Sequence, residues 1–350
     1  MKVAIIGTGN IANMHAKAIR SLGHELVLAV NPNGAPNFAA QWDIPAICST
    51  VNEALQYKFD VAHVCSPPAL HYEQIKALLL AKKHVVCEKP FCLEDTQAQE
   101  LLKLSKQMQC ICAVCFNNRY YPAVQSAKEA LKGAKIFSMQ STYLQKFHIM
   151  PCLYSWRYQE HLAGKMRAVT EIASHAIDLL CFVGNTKVKS VSALFQKCSE
   201  QRILKDRQLL IANEEGQSVH ICSEDAATIQ LRMQNNSIVS LFVSEVSFGK
   251  DNELKFHIDS NTCSVAWNSE NPYELYFADA QGAYSKRFAF SHGFAETFSL
   301  LIEDVYNTIQ NKASNSIFAG FTEAKHNVNV CNAIYQSATQ NGKVIELCIE

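Results

Sequence analysis

The chain has 350 residues, of which 48% are hydrophobic and 18% charged, and its 32 lysines and arginines balance its 32 aspartates and glutamates. Neither nucleic acid nor an anionic membrane is expected as a partner, since both attract clustered positive charge. One hydrophobic core rarely serves 350 residues, so two domains are expected. The sequence lacks an apolar run long enough to cross a bilayer, and the start MKVAIIGTGN reaches glycine too early for a secretory leader, which predicts a cytoplasmic protein.

The first 120 residues alternate short apolar runs with amphipathic stretches. The predicted strands are KVAIIG, ELVLAV, VAHVCS, HVVCEK and CICAVCF, and the helical patterns between them include NMHAKAIRSL, YEQIKALLLAKK and DTQAQELLKLSKQM. Strands that are apolar throughout and alternate with helices predict a parallel sheet covered on both faces. We therefore expect an α/β protein whose N-terminal domain, residues 1–121, is a doubly wound parallel sheet.

The first strand runs into a glycine-rich turn, VAIIGTGNIA, which has the spacing of a dinucleotide-binding loop. Gly7 suits the tight turn, Gly9 lets a pyrophosphate approach the backbone, and Ala12 is small enough for helix-on-strand packing. The predicted nucleotide contacts in this loop are Gly7, Thr8, Gly9, Asn10 and Ile11.

The end of the second strand bears on the choice between NAD and NADP. A carboxylate at this point binds the ribose hydroxyls of NAD, and a nearby arginine pairs with the 2′-phosphate of NADP. The chain instead has Asn31-Pro32-Asn33, and Asn31 can hydrogen-bond either form. The sequence therefore favours NAD only slightly.

The stretch HVVCEKPF places Glu88, Lys89 and Pro90 at the end of a predicted parallel strand. Ligands of doubly wound sheets bind at the carboxyl ends of the strands, so Lys89 is either a cation that faces the substrate or an ordinary lysine at a strand end. The proline fixes the backbone that follows it.

The 14 cysteines are expected to be reduced thiols, as in cytoplasmic proteins. Cys112 and Cys115 form a C-x-x-C pair, but the sequence has no second pair at the spacing of a zinc site. We therefore predict buried strand residues at these positions and no metal.

The pattern changes after Pro122. Following one helix, AVQSAKEAL, the predicted strands become longer and alternate between apolar and polar residues: KIFSMQSTYLQKF, KSVSALFQKC, AATIQLRMQ, SIVSLFVSEVSF and ELKFHID. This alternation is typical of a mostly antiparallel sheet with one covered face. A second α/β domain, residues 122–350, is therefore expected, with the helical patterns FAETFSLLIEDVYNTIQ and FTEAKHNVNVCNAIYQSATQ near its end; the final helix is a candidate to pack back on the first domain.

The stretch VTEIASHAID carries Glu171, His175 and Asp178, and it is either a polar helix start or a reaction centre. A reaction centre with a histidine can take up and release a proton, because neutral imidazole is a suitable base near neutral pH. Ser174 is the predicted N-cap of a helix whose dipole would keep His175 neutral.

Together these motifs resemble the family of glucose–fructose oxidoreductase, inositol 2-dehydrogenase and the rhizopine-catabolism proteins (Gfo/Idh/MocA). The similar stretches are GTGNIA, SPPALHYEQIKALLLAKKHVVCEKPF, FNNRYYP, YSWR, TEIASHAIDLL and EAKHNVNVCNAIYQSATQNGKVIEL. The resemblance implies a Rossmann domain, a second domain whose open sheet forms a homodimer or homotetramer, and hydride transfer between NAD or NADP and a small polyhydroxylated substrate, namely a sugar, cyclitol or sugar derivative.

The resemblance also implies roles for individual residues. The family's catalytic lysine falls on Lys89, and its acidic residue and histidine fall on Glu171 and His175, although the family usually has aspartate and then glycine where this chain has Glu171 and Ala173. The further cofactor candidates are Ser66, Pro67, His71, Glu88 and Asn117. The further substrate candidates are Asn118, Arg119, Tyr154, Trp156, Arg157 and Asp178, with Arg167 and His292 as less specific additions.

Two alternatives to a sugar or cyclitol dehydrogenase stay open. A catalytically silent sensor could keep the nucleotide-binding fold, and the Glu171 and Ala173 departures favour it, whereas retention of Lys89 with His175 favours an enzyme. A sugar-nucleotide dehydrogenase would need a basic pocket for a diphosphate.

Overall fold

The computed structural model describes residues 1–211, 215–290, 293–312 and 315–348. Its residues divide by their contacts into two compact units. The first unit consists of residues 1–120 and 291–328, and the second consists of residues 121–290 and 329–350.

The helices and strands of the described residues are, in chain order, β1 Lys2–Ile6, α1 Asn10–Ser21, β2 Glu25–Val30, α2 Pro36–Gln41, β3 Ile47–Cys48, α3 Val51–Ala54, β4 Val61–Val64, α4 His71–Leu80, β5 His84–Cys87, α5 Asp95–Met108, β6 Cys112–Val114, α6 Pro122–Ala130, β7 Ile136–Leu144, β8 Cys152–Leu153, α7 Glu160–Ala163, α8 Ser174–Val183, β9 Val188–Gln196, β10 Gln201–Lys205, β11 Gln208–Leu210, β12 Gln217–His220, β13 Ala226–Met233, β14 Ile238–Ser244, β15 Glu253–Ser260, β16 Ser264–Asn268, β17 Glu274–Asp279, β18 Gly282–Arg287, α9 Phe294–Ile309, β19 Ala319–Gly320, α10 Phe321–Thr339 and β20 Ile345–Glu346. None of the helices in these described ranges is both long and apolar enough to span a bilayer.

The first unit is built on a parallel sheet, as the sequence predicts. Its described strands follow the order β19-β6-β5-β4-β1-β2-β3, and all of them are parallel except β19. The strands are apolar on both sides because hydrophobic clusters cover both faces of the sheet. The carboxyl ends of β1, β2, β4 and β5 lead into the candidate residues of the nucleotide site.

Helix α9 belongs to the first unit, which differs from the expected single domain over residues 122–350. The helix buries Phe298, Leu301, Ile302, Val305 and Tyr306 in one of the two hydrophobic clusters that cover the parallel sheet, beside residues of α1. An apolar face of this width is stable only against another apolar surface. Helix α9 therefore packs in the first unit, although it follows residues 121–290 of the second unit in the chain.

The second unit contains a large, mostly antiparallel sheet, as expected. Within the described residues its strand order is β18-β17-β16-β15-β7-β14-β13-β9-β20, and β7 with β14 is the parallel pair. Helices α6 and α8 cover one face of this sheet. On the other face the strands expose every second residue, as the patterns of β13 and β14 show.

A small sheet in the second unit was not predicted. Its described strands follow the order β12-β10-β11-β8, and its compact core consists of Cys152, Tyr158, Leu209 and Ile221. These strands are short, and most of their residues are exposed or only partly buried. They therefore lack the long alternation by which a strand is recognised in a sequence.

Candidate active site

The turn after β1 has the shape of a phosphate-binding loop. Gly7 has a φ of +85°, and a Cβ atom there would lie 2.7 Å from the backbone nitrogen of Ser66. Gly9 stands before the first residue of α1, and a Cβ atom on it would meet nothing within 4 Å. Gly7 is therefore required by a close backbone approach, whereas Gly9 leaves open space at a helix N-terminus, where an anion binds well.

Asn31, directly after β2, is tied to this loop. Its Nδ2 donates to Thr8 Oγ1 at 2.8 Å, and its Oδ1 accepts from the backbone of Asn33 at 3.0 Å. These bonds hold a neutral amide where other dinucleotide sites carry a carboxylate. The preference for NAD over NADP stays a prediction.

The loop after β4 contains the candidates Ser66, Pro67 and His71. Ser66 Oγ donates to Gln74 Oε1 at 2.6 Å. The ring of His71 is fully buried, with Nε2 2.8 Å from the carbonyl of Ser66 and Nδ1 3.0 Å from the carbonyl of Pro90. Burial lowers the pKa of His71, which favours the neutral ring, and a neutral ring donates to one of the two carbonyls and only contacts the other. His71 thus connects the loop after β4 to the loop after β5.

Glu88 and Lys89 follow β5 at the carboxyl edge of the parallel sheet. Glu88 is 8% exposed, its Oε1 lies 2.9 Å from His15 Nε2, and its Oε2 accepts from the backbone nitrogen of Lys89 at 3.3 Å. Lys89 itself is partly exposed. The lysine therefore lies at the surface, while the carboxylate before it is fixed from the interior.

Asn117, Asn118 and Arg119 lie in a 3₁₀ turn after β6 and are all buried. Asn117 Nδ2 donates to Thr297 Oγ1 at 2.6 Å, while its Oδ1 has no hydrogen-bond partner among the described residues. Arg119 Nη1 donates to the carbonyl of Ile317 at 3.1 Å. A buried amide oxygen with remaining acceptor capacity is compatible with the predicted nucleotide contact of Asn117.

In the second unit, Glu171 and His175 lie on one continuous helical stretch. A π-helical turn, Val169–Ala173, carries Glu171 and leads directly into α8, which carries His175. The prediction of Ser174 as N-cap is therefore wrong: its backbone is helical, and its Oγ donates to the carbonyl of Thr170 at 2.8 Å. His175 lies more than a turn inside the helical stretch, so a helix N-terminus does not account for its charge state.

The carboxylate of Glu171 is bound by an arginine. Arg157 Nε donates to Glu171 Oε2 at 2.9 Å, and the guanidinium carbon of Arg157 lies 4.6 Å from the centre of the Trp156 ring. Tyr154 stacks on Tyr158, with ring centres 6.0 Å apart. The structure thus brings the candidates Arg157 and Trp156 together with Glu171, while Tyr154 packs on the small core under β8.

His175 is partly exposed and lies 6.5 Å from the Tyr143 ring, centre to centre. Asp178, one turn further along α8, is 5% exposed. Asp178 is therefore not the exposed carboxylate that a polar helix start would carry, because α8 is buried along most of its length.

Arg167 anchors the start of this helical stretch from the interior. Its fully buried guanidinium pairs with Asp225 and, at 2.7 Å, with Glu245. Glu224 Oε1 accepts from the backbone nitrogens of Arg167 at 3.1 Å and Val169 at 2.8 Å. Burial raises the pKa of Glu224 to about 7. These contacts give Arg167 a structural role, whereas His292 lies outside the described residues.

Cys112, in β6, and Cys115, directly after it, are buried thiols. Burial raises the pKa of Cys115 to about 12 and that of Cys112 well above its ordinary value, so both carry their protons near neutral pH. In the described part of the chain, one group of three histidine, cysteine or acidic residues has its potential metal-ligand atoms within 4.8 Å of one another. It consists of His15, Glu88 and Cys115. The expectation that no metal binds stays a prediction.

Sequence profiles of one family match most of the chain. The profile described as an oxidoreductase family with an NAD-binding Rossmann fold (GFO_IDH_MocA) matches residues 1–116. The profile of the GFO/IDH/MocA C-terminal domain matches residues 124–264.

Named relatives are similar over much of their length. Levoglucosan dehydrogenase of Pseudarthrobacter phenanthrenivorans is 25% identical over 307 residues, which cover 82% of this chain and 78% of the relative. Glucose-6-phosphate 3-dehydrogenase of Bacillus subtilis is 20% identical over 278 residues, which cover 78% of this chain and 75% of the relative. The solved structure of levoglucosan dehydrogenase in complex with NADH and L-sorbose has the same fold, with a TM-score of 0.88 at 23% identity over 99% of this chain and 98% of that one.

Proposed function

The chain belongs to the Gfo/Idh/MocA family of oxidoreductases, and on that premise we propose that it is an NAD-dependent dehydrogenase of a small polyhydroxylated substrate. The substrate class is a sugar, cyclitol or sugar derivative, in line with the names of its relatives. The proposal rests on Lys89, Glu171 and His175, to which the family resemblance assigns the catalytic roles, and the side chains of all three are partly exposed in the structure.

The first unit fits a dinucleotide. Gly9 offers open space at the start of α1, and the approach of Gly7 to the loop of Ser66 keeps two candidate nucleotide segments together. A bound nicotinamide supplies the hydride acceptor in oxidation and the hydride donor in reduction. We favour NAD over NADP only slightly, because Asn31 offers neither a carboxylate nor a cation to the ribose.

The proposed roles of the chain's own residues follow from alcohol oxidation. His175 accepts the hydroxyl proton, and the ammonium of Lys89 stabilises the oxygen as negative charge develops on it. Glu171, oriented by Arg157, binds a neighbouring hydroxyl or the protonated ring of His175. Asn118, Arg119, Tyr154, Trp156 and Asp178 remain proposed substrate contacts.

The Arg157–Glu171 pair favours an enzyme over a silent sensor. A glutamate is one methylene longer than the family's usual aspartate, and here its carboxylate is bound at 2.9 Å by an arginine. An oriented carboxylate four residues before His175 is compatible with catalysis, so the departure at this position does not by itself remove function.

The test is a screen of sugars, cyclitols and their phosphates with NAD⁺ and with NADP⁺, followed by nicotinamide absorbance. We expect oxidation of at least one polyhydroxylated compound, and loss of that oxidation in Lys89→Ala and His175→Ala. Tight nicotinamide binding without turnover of any compound would favour the sensor. Turnover confined to sugar nucleotides would favour the diphosphate-binding alternative.

A further inference from the structure

A chain of buried hydrogen bonds crosses the first unit and ends beside Lys89. Tyr306 Oη lies 2.7 Å from His63 Nε2, His63 Nδ1 lies 2.7 Å from His15 Nδ1, and His15 Nε2 lies 2.9 Å from Glu88 Oε1. The rings of His15 and His63 are 0% exposed, and Tyr306 is 2% exposed. The second oxygen of Glu88 accepts from the backbone nitrogen of Lys89. None of the proposed catalytic steps uses these three side chains.

The direction of each hydrogen bond in this chain depends on that of its neighbour. An ionised Glu88 only accepts, so His15 Nε2 carries a proton. Of His15 Nδ1 and His63 Nδ1, one carries a proton and the other accepts, and this choice sets whether His63 Nε2 accepts from or donates to the hydroxyl of Tyr306. Burial lowers the pKa of His63 well below its ordinary value, which agrees with a neutral ring. Each contact in the chain therefore defines the tautomer of the next ring.

A second buried histidine holds the other side of Lys89. His71 contacts the carbonyl of Pro90 and the carbonyl of Ser66, so it joins the residue after Lys89 to the loop that follows β4. Lys89 is thus flanked by two anchored residues, Glu88 and Pro90, while its own side chain stays partly exposed.

The two anchoring histidines come from segments that also form the nucleotide site. His15 lies on α1, whose first turn begins directly after Gly9, and His71 begins α4 directly after the loop of Ser66. Both segments approach each other at Gly7, where a Cβ atom would clash with the backbone of Ser66.

We propose that His15 and His71 are positioning residues for Lys89, that His63 and Tyr306 fix the ring of His15, and that this arrangement couples the nucleotide loops to the direction of the lysine. The kinetic part of this inference rests on the proposed function. The structural part concerns only the surroundings of Lys89. A misplacement of about 1 Å at a reacting group can cost on the order of 10²-fold in rate, so anchors of this kind matter even without touching the substrate.

The two thiols beside His15 cannot replace its imidazole as the hydrogen-bond donor to Glu88. Cys65 and Cys115 face the ring, and Cys115 Sγ lies 4.0 Å from Nε2. Burial raises the pKa of Cys115 to about 12, so near neutral pH this group is a neutral thiol. Removal of the imidazole would therefore take one buried hydrogen-bond donor away from the carboxylate of Glu88.

The kinetic arm compares His15→Leu and His71→Leu with the conservative variants His15→Gln and His71→Gln in the full chain. We expect the leucine variants to lower kcat by about 10- to 100-fold, with a smaller change in the Kd of NAD⁺, and the glutamine variants to recover part of the loss. His84→Gln is the matched control. His84 begins β5, the strand that precedes Glu88 and Lys89, and its ring accepts from the backbone of Ile111 at 3.0 Å.

The second arm is independent of turnover. Reductive methylation of Lys89 with ¹³C-formaldehyde, read by mass spectrometry and NMR with and without NAD⁺, reports the reactivity and accessibility of its amine. We expect both leucine variants to change the rate of methylation of Lys89 and to abolish its response to NAD⁺. If no substrate is ever oxidised, the proposed function fails, but this arm still decides the inference.

Tyr306→Phe is included in case the leucine variants do not fold, because this change removes only a single oxygen, two imidazoles away from Glu88. It should shift the pH profile of kcat in the same direction as His15→Leu, and by less. Tyr120→Phe is its control, since that hydroxyl donates to Asp304 of the same helix at 2.6 Å. Unchanged kcat and unchanged Lys89 reactivity in Tyr306→Phe and in whichever leucine variant folds would overturn the inference.

Discussion

Lys89 and His175 are the two side chains on which the proposed chemistry depends most. Proton transfer and stabilisation of a developing negative charge each contribute about 10²- to 10⁴-fold to typical reactions. We therefore expect Lys89→Ala and His175→Ala each to lower kcat by about 10²- to 10⁴-fold, while the Kd of NAD⁺ changes little. Steady-state kinetics and nicotinamide fluorescence measure the two quantities. Wild-type rates in both variants would leave VTEIASHAID as only a polar stretch of helix.

The Arg157–Glu171 pair leads to a second prediction. Glutamine keeps the shape of Glu171 but loses its charge, whereas aspartate keeps the charge but shortens the reach to Arg157 Nε, now 2.9 Å away. We expect Glu171→Gln to lower kcat more than Glu171→Asp, because a carboxylate favours the imidazolium that forms when His175 accepts a proton.

A double-mutant cycle of Glu171→Gln with Arg157→Gln separates orientation from charge. Coupling between the two changes of about 0.5–1 kcal/mol in kcat/KM is expected, since the side chain of Arg157 is 40% exposed and the pair is partly screened. Fully additive effects would mean that Arg157 does not orient the carboxylate.

At the scale of the single element, Gly7 and Gly9 of the phosphate loop should respond differently to the same substitution. A side chain on Gly9 meets no neighbouring atom, so Gly9→Val should fold normally and lose NAD⁺ binding by at least tenfold, because the side chain fills the space of the pyrophosphate. Gly7→Val should instead destabilise the first unit, since its φ is +85° and its Cβ would lie 2.7 Å from a backbone nitrogen. Thermal unfolding and a binding titration distinguish the two outcomes. Tight NAD⁺ binding by folded Gly9→Val would exclude the loop as the phosphate site.

The helical stretch that carries Glu171 and His175 should have a pH-dependent stability. Burial raises the pKa of Glu224 from 4.5 to about 7, so the folded state keeps a proton that the unfolded chain loses in this range. Stability therefore falls as pH rises from about 5 to about 7, by a total of about 3 kcal/mol, and stays low above it.

Glu224→Gln tests this dependence, because its amide oxygen can still accept from the backbone nitrogens of Arg167 and Val169 and cannot ionise. Denaturant unfolding at pH 5 and at pH 8 should show a smaller loss of stability in the variant than in the wild type. Exposed Glu270→Gln is the control. Equal pH dependence in all three proteins would contradict a raised pKa at Glu224.

The elements differ in how well the sequence predicts them. The five strands predicted for the parallel sheet are correct because each is a continuous apolar run bounded by turn residues, whereas β3, with only two residues, was not predicted. The π-helical turn before α8 was missed because the contacts of Glu224 and Arg167 shape it, and Arg167 pairs with residues 58 and 78 positions away. The buried chain of His15, His63 and Tyr306 was missed for the same reason, since its contacts join residues up to 243 positions apart.

The residues of the candidate site also differ in how well the sequence predicts them. Lys89, Glu171 and His175 could be named because family motifs carry them, and the glycines of the phosphate loop because their spacing has a steric cause. Arg157 was a candidate from the sequence, but its contact with Glu171 was not predicted. The placement of His175 at a helix start was wrong because local sequence does not reveal the preceding π-helical turn.

At the scale of the whole molecule, the uncovered face of the large sheet is expected to form the homodimer or homotetramer. Thr228 pairs with both Leu194 and Phe242, so these three side chains lie in a row on one face, where Leu194 is 58% and Phe242 43% exposed. Leu194→Glu with Phe242→Glu should reduce the molecular mass measured by light scattering. Phe248→Glu, at a position 84% exposed outside the strands, should leave it unchanged. A monomeric wild type would refute this interface.

The position of α9 in the chain has a consequence for synthesis on the ribosome. The first 120 residues leave the exit tunnel with every parallel strand complete, but α9, which covers part of one face of their sheet, follows only after some 170 further residues have been translated. At about 5–20 residues per second, that apolar surface stays uncovered for roughly ten seconds or more before α9 is synthesised. During this interval the nascent N-terminal half is a natural client for a molecular chaperone, and truncated products that end before residue 294 should be the most prone to aggregate.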